Sequence, residues 1–314
     1  MPVLAENPPS VSHRAAAAAP VRSGVARRIA LSVGGISFAV EACDSMQLAL
    51  DRAFVPFLAD APSCDIEVKA GWAASLSLPA ARPLFASGGV WNAYDEDGGT
   101  AFYFRTEFLG DAPYKKAWFD KTFSTGRVWL LKRYFQAGTA VYPLEYPLDE
   151  LLMIHKLSTG MGLEVHSCGV TTADGQGRLF VGHSGAGKST TSRLWMHRPG
   201  VCVLSDDRII LRQDGNEFQM YGTPWHGDAG LAAQASNRLD RIFLLEHAPK
   251  NEIVPLEPSR AAAELLARCF VPFHSGEGLA NTMRLIESIV KKVPVSVFRF
   301  IPGSSAVEEI LRAA

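Results

Sequence analysis

Eight consecutive residues, Gly182-His183-Ser184-Gly185-Ala186-Gly187-Lys188-Ser189, fill every fixed position of the G-x-x-x-x-G-K-[ST] phosphate-binding pattern. The pattern works through the backbone. Its glycines let the chain curl so that successive N–H groups point inward, and the helix that follows adds partial positive charge at its N-terminus. Gly182, Ser184, Gly185, Ala186, Gly187, Lys188, Ser189 and Thr190 are therefore the expected phosphate-binding residues. Lys188 would reach the β- and γ-phosphates of a nucleotide, and the Ser189 hydroxyl would ligate Mg²⁺. ATP and Mg²⁺ are the expected cofactors.

Such a loop must hang between a strand and a helix. Leu179-Phe180-Val181 reads as the strand, and Thr190 to Trp195, free of Gly and Pro, reads as the start of the helix. Upstream, Leu163 to Thr172 reads as another strand, and Asp174-Gly-Gln-Gly177 as a tight turn. The loop thus hangs off an antiparallel hairpin. The common P-loop GTPases and ATPases use a parallel strand with a helical crossover instead.

About twenty residues past the loop, Val201 to Leu211 carries Asp206-Asp207 between two apolar runs. An acidic residue at a strand end near such a loop is where Mg²⁺ is held, and a second carboxylate is free to take a proton from an attacking hydroxyl. Ser189 and Asp206 are taken as metal ligands, and Lys188, Asp206 and Asp207 as catalytic candidates. The residues leave open which aspartate has which task. A Gly-bounded segment, Tyr221-Gly-Thr-Pro-Trp-His-Gly-Asp228, offers His226 and Asp228 as a substrate loop or, equally, as a solvated turn around a packed Trp. Arg193 and Arg208 could add positive charge for phosphates; surface arginines usually do not. His247, His274 and Cys269 have no ligand spacing and are given no role.

His166 in its strand, the hairpin, the G-x-S-G-x-G-K-S loop and the Asp pair resemble the catalytic domain of HPr kinase/phosphorylase, itself related in fold to ATP-dependent phosphoenolpyruvate carboxykinase. The resemblance covers about 150 to 215. It implies that His166 lies close to the transferred phosphate and that one Asp is the general base for a serine hydroxyl. The segment after the Asp pair departs from that family. Tyr221 to Asp228, with Asn281-Thr and the Ser304-Ser-Ala-Val ending, looks more like the ScmC-type proteins of natural-product gene clusters. The expected activity is Mg²⁺-dependent transfer of the ATP γ-phosphoryl group to a hydroxyl, most simply a serine of a protein or peptide. A small-molecule kinase and a non-catalytic ATP-binding scaffold are the alternatives. ATP versus GTP or pyrophosphate stays open.

The bulk numbers bound the rest. The chain has 314 residues, ample for a core, and a formal net charge of −1, which gives no electrostatic case for nucleic acid or an acidic membrane. Five cysteines without C-x-x-C spacing read as thiols in a reducing compartment, and no apolar run is as long as a membrane span, so the cytoplasm is expected. The partner is a hydroxyl-bearing protein, peptide or small molecule, and a homo-oligomer stays open.

The fold class is α/β (α+β), with an HPr kinase/carboxykinase-like P-loop domain over 148–314 and a smaller, mostly β N-terminal domain over 26–147. Residues 1 to 25, rich in Ala, Pro, Ser and Arg, read as a disordered leader. Hairpins are expected around Gly34-Gly35 and Asp97-Gly98-Gly99, and strands over Asp65–Trp72 and Arg127–Phe135. Helices are expected from an Asp44 or Ser45 cap through Leu58, over Leu148–Thr159, Ser259–Cys269 and Gly278–Lys292, and at the C-terminus over Ser305–Arg312. Strands are expected over Leu239–Glu246 and Val295–Ile301, and Gly276 to Gly278 reads as a mobile loop. The many N-terminal aromatics read as the core of a small sheet in preference to ligand-stacking groups.

Overall fold

The computed structural model describes residues 27–313 apart from 44, 108, 109 and 111. The expected leader and the Asp44 cap lie outside the described residues. The molecule is a mixed α and β structure built on two sheets. Strands β1 (Arg28–Val33), β2 (Ile36–Ala42), β3 (Ile66–Ala73), β4 (Phe85–Ala86), β5 (Trp91–Glu96), β6 (Gly99–Phe104), β7 (Lys115–Phe119) and β8 (Thr125–Leu131) form the first. Their spatial order is β1-β2-β3-β8-β7-β6-β5-β4.

Alternation sets the faces of this sheet. In β3, Ile66, Val68 and Ala70 are buried while Glu67 and Lys69 look outward. Phe38, Phe102, Phe104 and Phe119 fill the inner face, as the core reading of the aromatics expected. Trp118 and Trp129 are different: with Lys69, Lys116 and Arg127 they line an open groove of about 750 Å³ on the outer face.

Both turn glycines of the first hairpin take positive φ, +60° at Gly34 and +69° at Gly35, the conformation a two-residue hairpin loop requires. The tip then closes on the second sheet. A Cβ on Gly34 would stand 2.7 Å from Ile210 Cδ1, and Arg212 donates to the Gly34 carbonyl at 2.8 Å.

Helix α1 (Leu148–Lys156) links the halves, and its Leu148, Leu151 and Leu152 enter the first sheet's core. Asp149 in its first turn is 1% exposed and accepts the Glu150 N–H at 2.7 Å. Burial pushes its carboxyl up from 3.8 to about 7. Between those values the folded chain holds a proton that the unfolded chain releases, so stability falls as pH rises through this window. Asp149→Asn should flatten that stretch of the melting temperature against pH. An unchanged slope would place the loss on another group.

Strands β9 (Leu163–Thr171), β10 (Gly177–Val181), β11 (Cys202–Ser205), β12 (Arg208–Asp214), β13 (Glu217–Gly222) and β14 (Ser236–Arg238) begin the second sheet. Strands β15 (Arg241–His247), β16 (Glu252–Pro255), β17 (Cys269–Phe270) and β18 (Val295–Phe300) complete it. Its path is β14-β13-β12-β9-β10-β15-β18-β16, with β11 and β17 also paired to β9. β10 is antiparallel to β9 and parallel to β15. The phosphate-loop strand is therefore one arm of a hairpin, as its sequence indicated.

Helices α2 (Lys188–Met196), α3 (Pro258–Leu266), α4 (Gly276–Lys292) and α5 (Ser304–Arg312) complete the described α-helices. Among the described residues no helix is long and apolar enough to cross a membrane.

Three expectations are corrected. No helix runs from Ser45 to Leu58: only a 3₁₀ turn, Arg52–Phe57, forms, with Asp51 accepting the Ala53 N–H. Leu48 instead bridges Val141 in strand fashion, and Pro56 can donate no helical hydrogen bond. Gly276 to Gly278 is the first turn of α4, because the Ser275 hydroxyl caps the Gly278 N–H at 3.0 Å. The strand expected over Arg127–Phe135 starts at Thr125 and stops at Leu131, where a 3₁₀ turn takes over.

Candidate phosphate site and its Asp–His pair

The phosphate loop follows from its glycines. Gly185 and Gly187 have φ of +81° and +100°, a region that costs side-chain-bearing residues energy. Space adds a second constraint. A Cβ on Gly187 would lie 2.8 Å from Phe300 Cζ, and one on Gly182 2.6 Å from the Ala186 methyl. Gly187→Ala should therefore lower the melting temperature and weaken nucleotide binding at least tenfold, with a backbone cost of about 1–3 kcal/mol. Calorimetric titration with ATP checks this, and wild-type affinity would refute the tight fit.

Lys188 opens α2 and folds back across the loop, donating to the carbonyls of Gly182 at 2.9 Å and His183 at 3.1 Å. Burial lowers its ammonium to about 8. His183, Ser184 and Gly185 form the exposed crest, while Ser189 and Thr190 are half-buried at the start of the helix. His247, given no role from sequence, ends β15 beside this crest. Its Nε2 lies 3.2 Å from the Gly185 carbonyl, and its ring stacks on Phe300 at 5.2 Å.

The Asp pair sits in an interruption between two strands that share one neighbour. β11 pairs with β9 at Gly169–Thr171 and β12 pairs with β9 at Leu163–His166, so the two aspartates span the gap between them in register, just after an irregularity between Val203 and Ser205. Successive side chains of an extended chain point to opposite faces, and here the two aspartates part company. Asp206 is fully buried. Its carboxylate accepts the N–H groups of Gly227 at 3.0 Å, Ala229 at 2.9 Å and Leu231 at 3.3 Å. Asp207 turns to β9, where its Oδ1 lies 3.0 Å from His166 Nε2. A carboxylate only accepts, so that nitrogen carries the proton. Burial works to raise the Asp207 carboxyl, yet the His166 hydrogen bond and the charges of Arg208, His166 and Lys188 hold it below the usual carboxylate range.

The site thus pairs Asp207 with His166, and the Asp207 charge favours the cationic form of Lys188. Asp206, taken as a metal ligand from the sequence, has both its oxygens accepting backbone amides of the loop it anchors. Among the described residues no group of three or more His, Cys, Asp or Glu could hold a metal. Mg²⁺ keeps several waters and binds through few protein oxygens together with phosphate oxygens. Ser189 Oγ, half-buried at the helix start, fits as such a ligand.

His226 and Asp228 are exposed, and their side chains make no hydrogen bond to this group. His226 Nδ1 lies 3.0 Å from the neighbouring Gly227 carbonyl, and the Asp228 carbonyl accepts from Arg193 at 3.4 Å. Arg193 thus ties the loop to α2. Trp225 of the same loop is 8% exposed and belongs to the first sheet's core, edge-on to Phe54 at 6.4 Å.

Residues 148–299 match the family model described as SynChlorMet cassette protein ScmC. The chain is similar to that family over this part. No curated protein matches the chain. Among solved structures, the Hpr(Ser) kinase/phosphatase from Coxiella burnetii aligns at 18% identity with a TM-score of 0.29, covering 48% of this chain and 94% of that one.

Sequence reasoning missed Glu150 and Glu164. Both carboxylates are buried next to Arg208. One signal was available for Glu164: it stands two residues before His166 in a strand, so both share a face.

Proposed function

We propose that this protein transfers the γ-phosphoryl group of ATP to a hydroxyl, most simply a serine side chain of a protein or peptide. The supporting observation is the Asp207–His166 pair, whose carboxylate acts electrostatically on Lys188 of the phosphate loop. Nucleotide binding alone requires neither a carboxylate oriented by an imidazole nor its placement near the lysine that meets the phosphates.

In this reading the loop amides and Lys188 hold the β- and γ-phosphates, and Mg²⁺ on Ser189 would neutralise part of their charge. The acceptor O–H gives its proton to Asp207 as its oxygen bonds to the γ-phosphorus. The bond from that phosphorus to the bridging oxygen breaks, and ADP leaves. His166 holds Asp207 through Oδ1, so the remaining carboxylate lone pairs can face the acceptor. Asp206 does no chemistry; it fixes the Gly227–Leu231 loop that walls the site.

Incubation with Mg²⁺ and γ-labelled ATP, with and without host lysate, tests the reading. Label on a discrete peptide, protein or small molecule, lost in Lys188→Ala, is the expected result. Tight ATP binding with no transfer or hydrolysis would favour a binding module.

A further inference from the structure

Arg208 is the first residue of β12 and the register partner of His166 on β9. A phosphate-facing role would leave its guanidinium at the loop. It turns instead into a buried acidic clamp. Its Nε lies 2.6 Å from Glu150 Oε1 and 3.5 Å from Glu164 Oε1. Its Nη1 pairs with Asp207 Oδ2, and the plane rests on the Phe270 ring, 4.2 Å from the centroid.

Each clamp residue comes from a different element. Glu150, 5% exposed, belongs to the first turn of α1; Glu164, 1% exposed, to β9; Phe270 to β17. Neither oxygen of Glu164 has a hydrogen-bond partner. Burial, then the charge of Glu150, pushes its carboxyl well above the usual range, while Asp207 pairs directly with Arg208. A planar fork held from below by an aromatic ring and from the sides by carboxylates has little freedom.

We infer that Arg208, clamped by Glu150 and Glu164 over Phe270, is a positioning residue: it fixes the Asp207 carboxylate so that one oxygen meets His166, and it does not bind the phosphates. The catalytic meaning of this rests on the kinase reading; the geometry does not. With Oδ2 held by Arg208 and Oδ1 by His166, the carboxylate cannot rotate about its last torsion. The α1 helix, rooted in the first sheet, thereby sets the orientation of the proposed base.

Removing Arg208 alone strands buried carboxylates without their counter-ion and can unfold the protein. The informative variant is therefore the double substitution Arg208→Met with Glu150→Gln, which removes both charges together, compared with Arg208→Lys. Two readouts are needed: the Kd for ATP with turnover, and the ¹⁵N–¹H signal of the His166 ring.

The inference expects ATP Kd within threefold of wild type, turnover lowered at least thirtyfold, and the His166 Nε2–H signal lost to solvent exchange. Lysine, a point donor, should not rescue turnover. A tenfold weaker ATP Kd with normal turnover at saturation would overturn it and make Arg208 a phosphate ligand. Turnover and His166 signal both at wild-type level would overturn it as well. If the wild type transfers no phosphate to any acceptor, the kinase reading fails, and the His166 signal alone still decides the positioning claim.

Discussion

Lys188→Ala should abolish measurable nucleotide binding, and transfer with it. Two losses combine at this residue. The ammonium supplies charge-assisted hydrogen bonds to the β- and γ-phosphates, each worth roughly 1.5–3 kcal/mol. It also straps the loop through the carbonyls of Gly182 and His183 at 2.9 and 3.1 Å. The buried ammonium, with its proton affinity lowered to about 8, is still mostly charged at pH 7. Phosphate oxygens would raise that affinity by favouring the cation. We expect ATP affinity to fall by at least about a hundredfold, the lower end of that range for two such bonds together. Isothermal titration with MgATP measures it. Affinity within threefold of wild type would remove the phosphate loop from the site.

The second large effect separates the two aspartates. Asp207→Asn keeps size and leaves a carbonyl oxygen for His166, but it removes the proton acceptor. Turnover should drop at least about a hundredfold, the usual scale for base catalysis, with ATP binding kept within a few-fold. Asp206→Asn should behave differently. An amide in place of the carboxylate sets its NH₂ against the donor of Ala229, or against those of Gly227 and Leu231 if it turns over, so a buried charged network of hydrogen bonds is broken. The melting temperature should fall, and loop amides should exchange faster. Were Asp206→Asn to lose turnover at unchanged stability while Asp207→Asn kept it, the two aspartates would exchange roles.

The legible parts of this chain were those where one local rule decides. Gly185 and Gly187 announce positive φ, and the alternation of Leu163, Val165 and Ser167 with Glu164 and His166 announces a strand. The segment from Ser45 to Leu58 misled because propensity favoured a helix while a long-range bridge from Leu48 to Val141 claimed the backbone. The divergence of Asp206 from Asp207 could not be read either. It depends on how two strands meet over β9 and on amides more than twenty residues downstream, which no local pattern encodes. Arg208 looked like a surface cation because two of its carboxylate partners, Glu150 and Glu164, lie fifty-eight and forty-four residues away in the chain.

Trp225 carries a consequence for how the chain can be divided. Its indole is planted among Phe54 and the first sheet's core, while the next residues run directly to the amides held by Asp206. Cutting the chain ahead of α1 would therefore expose a large ring and release the wall of the phosphate site in one stroke. The first sheet is, in this sense, part of the scaffold of the candidate site on the second.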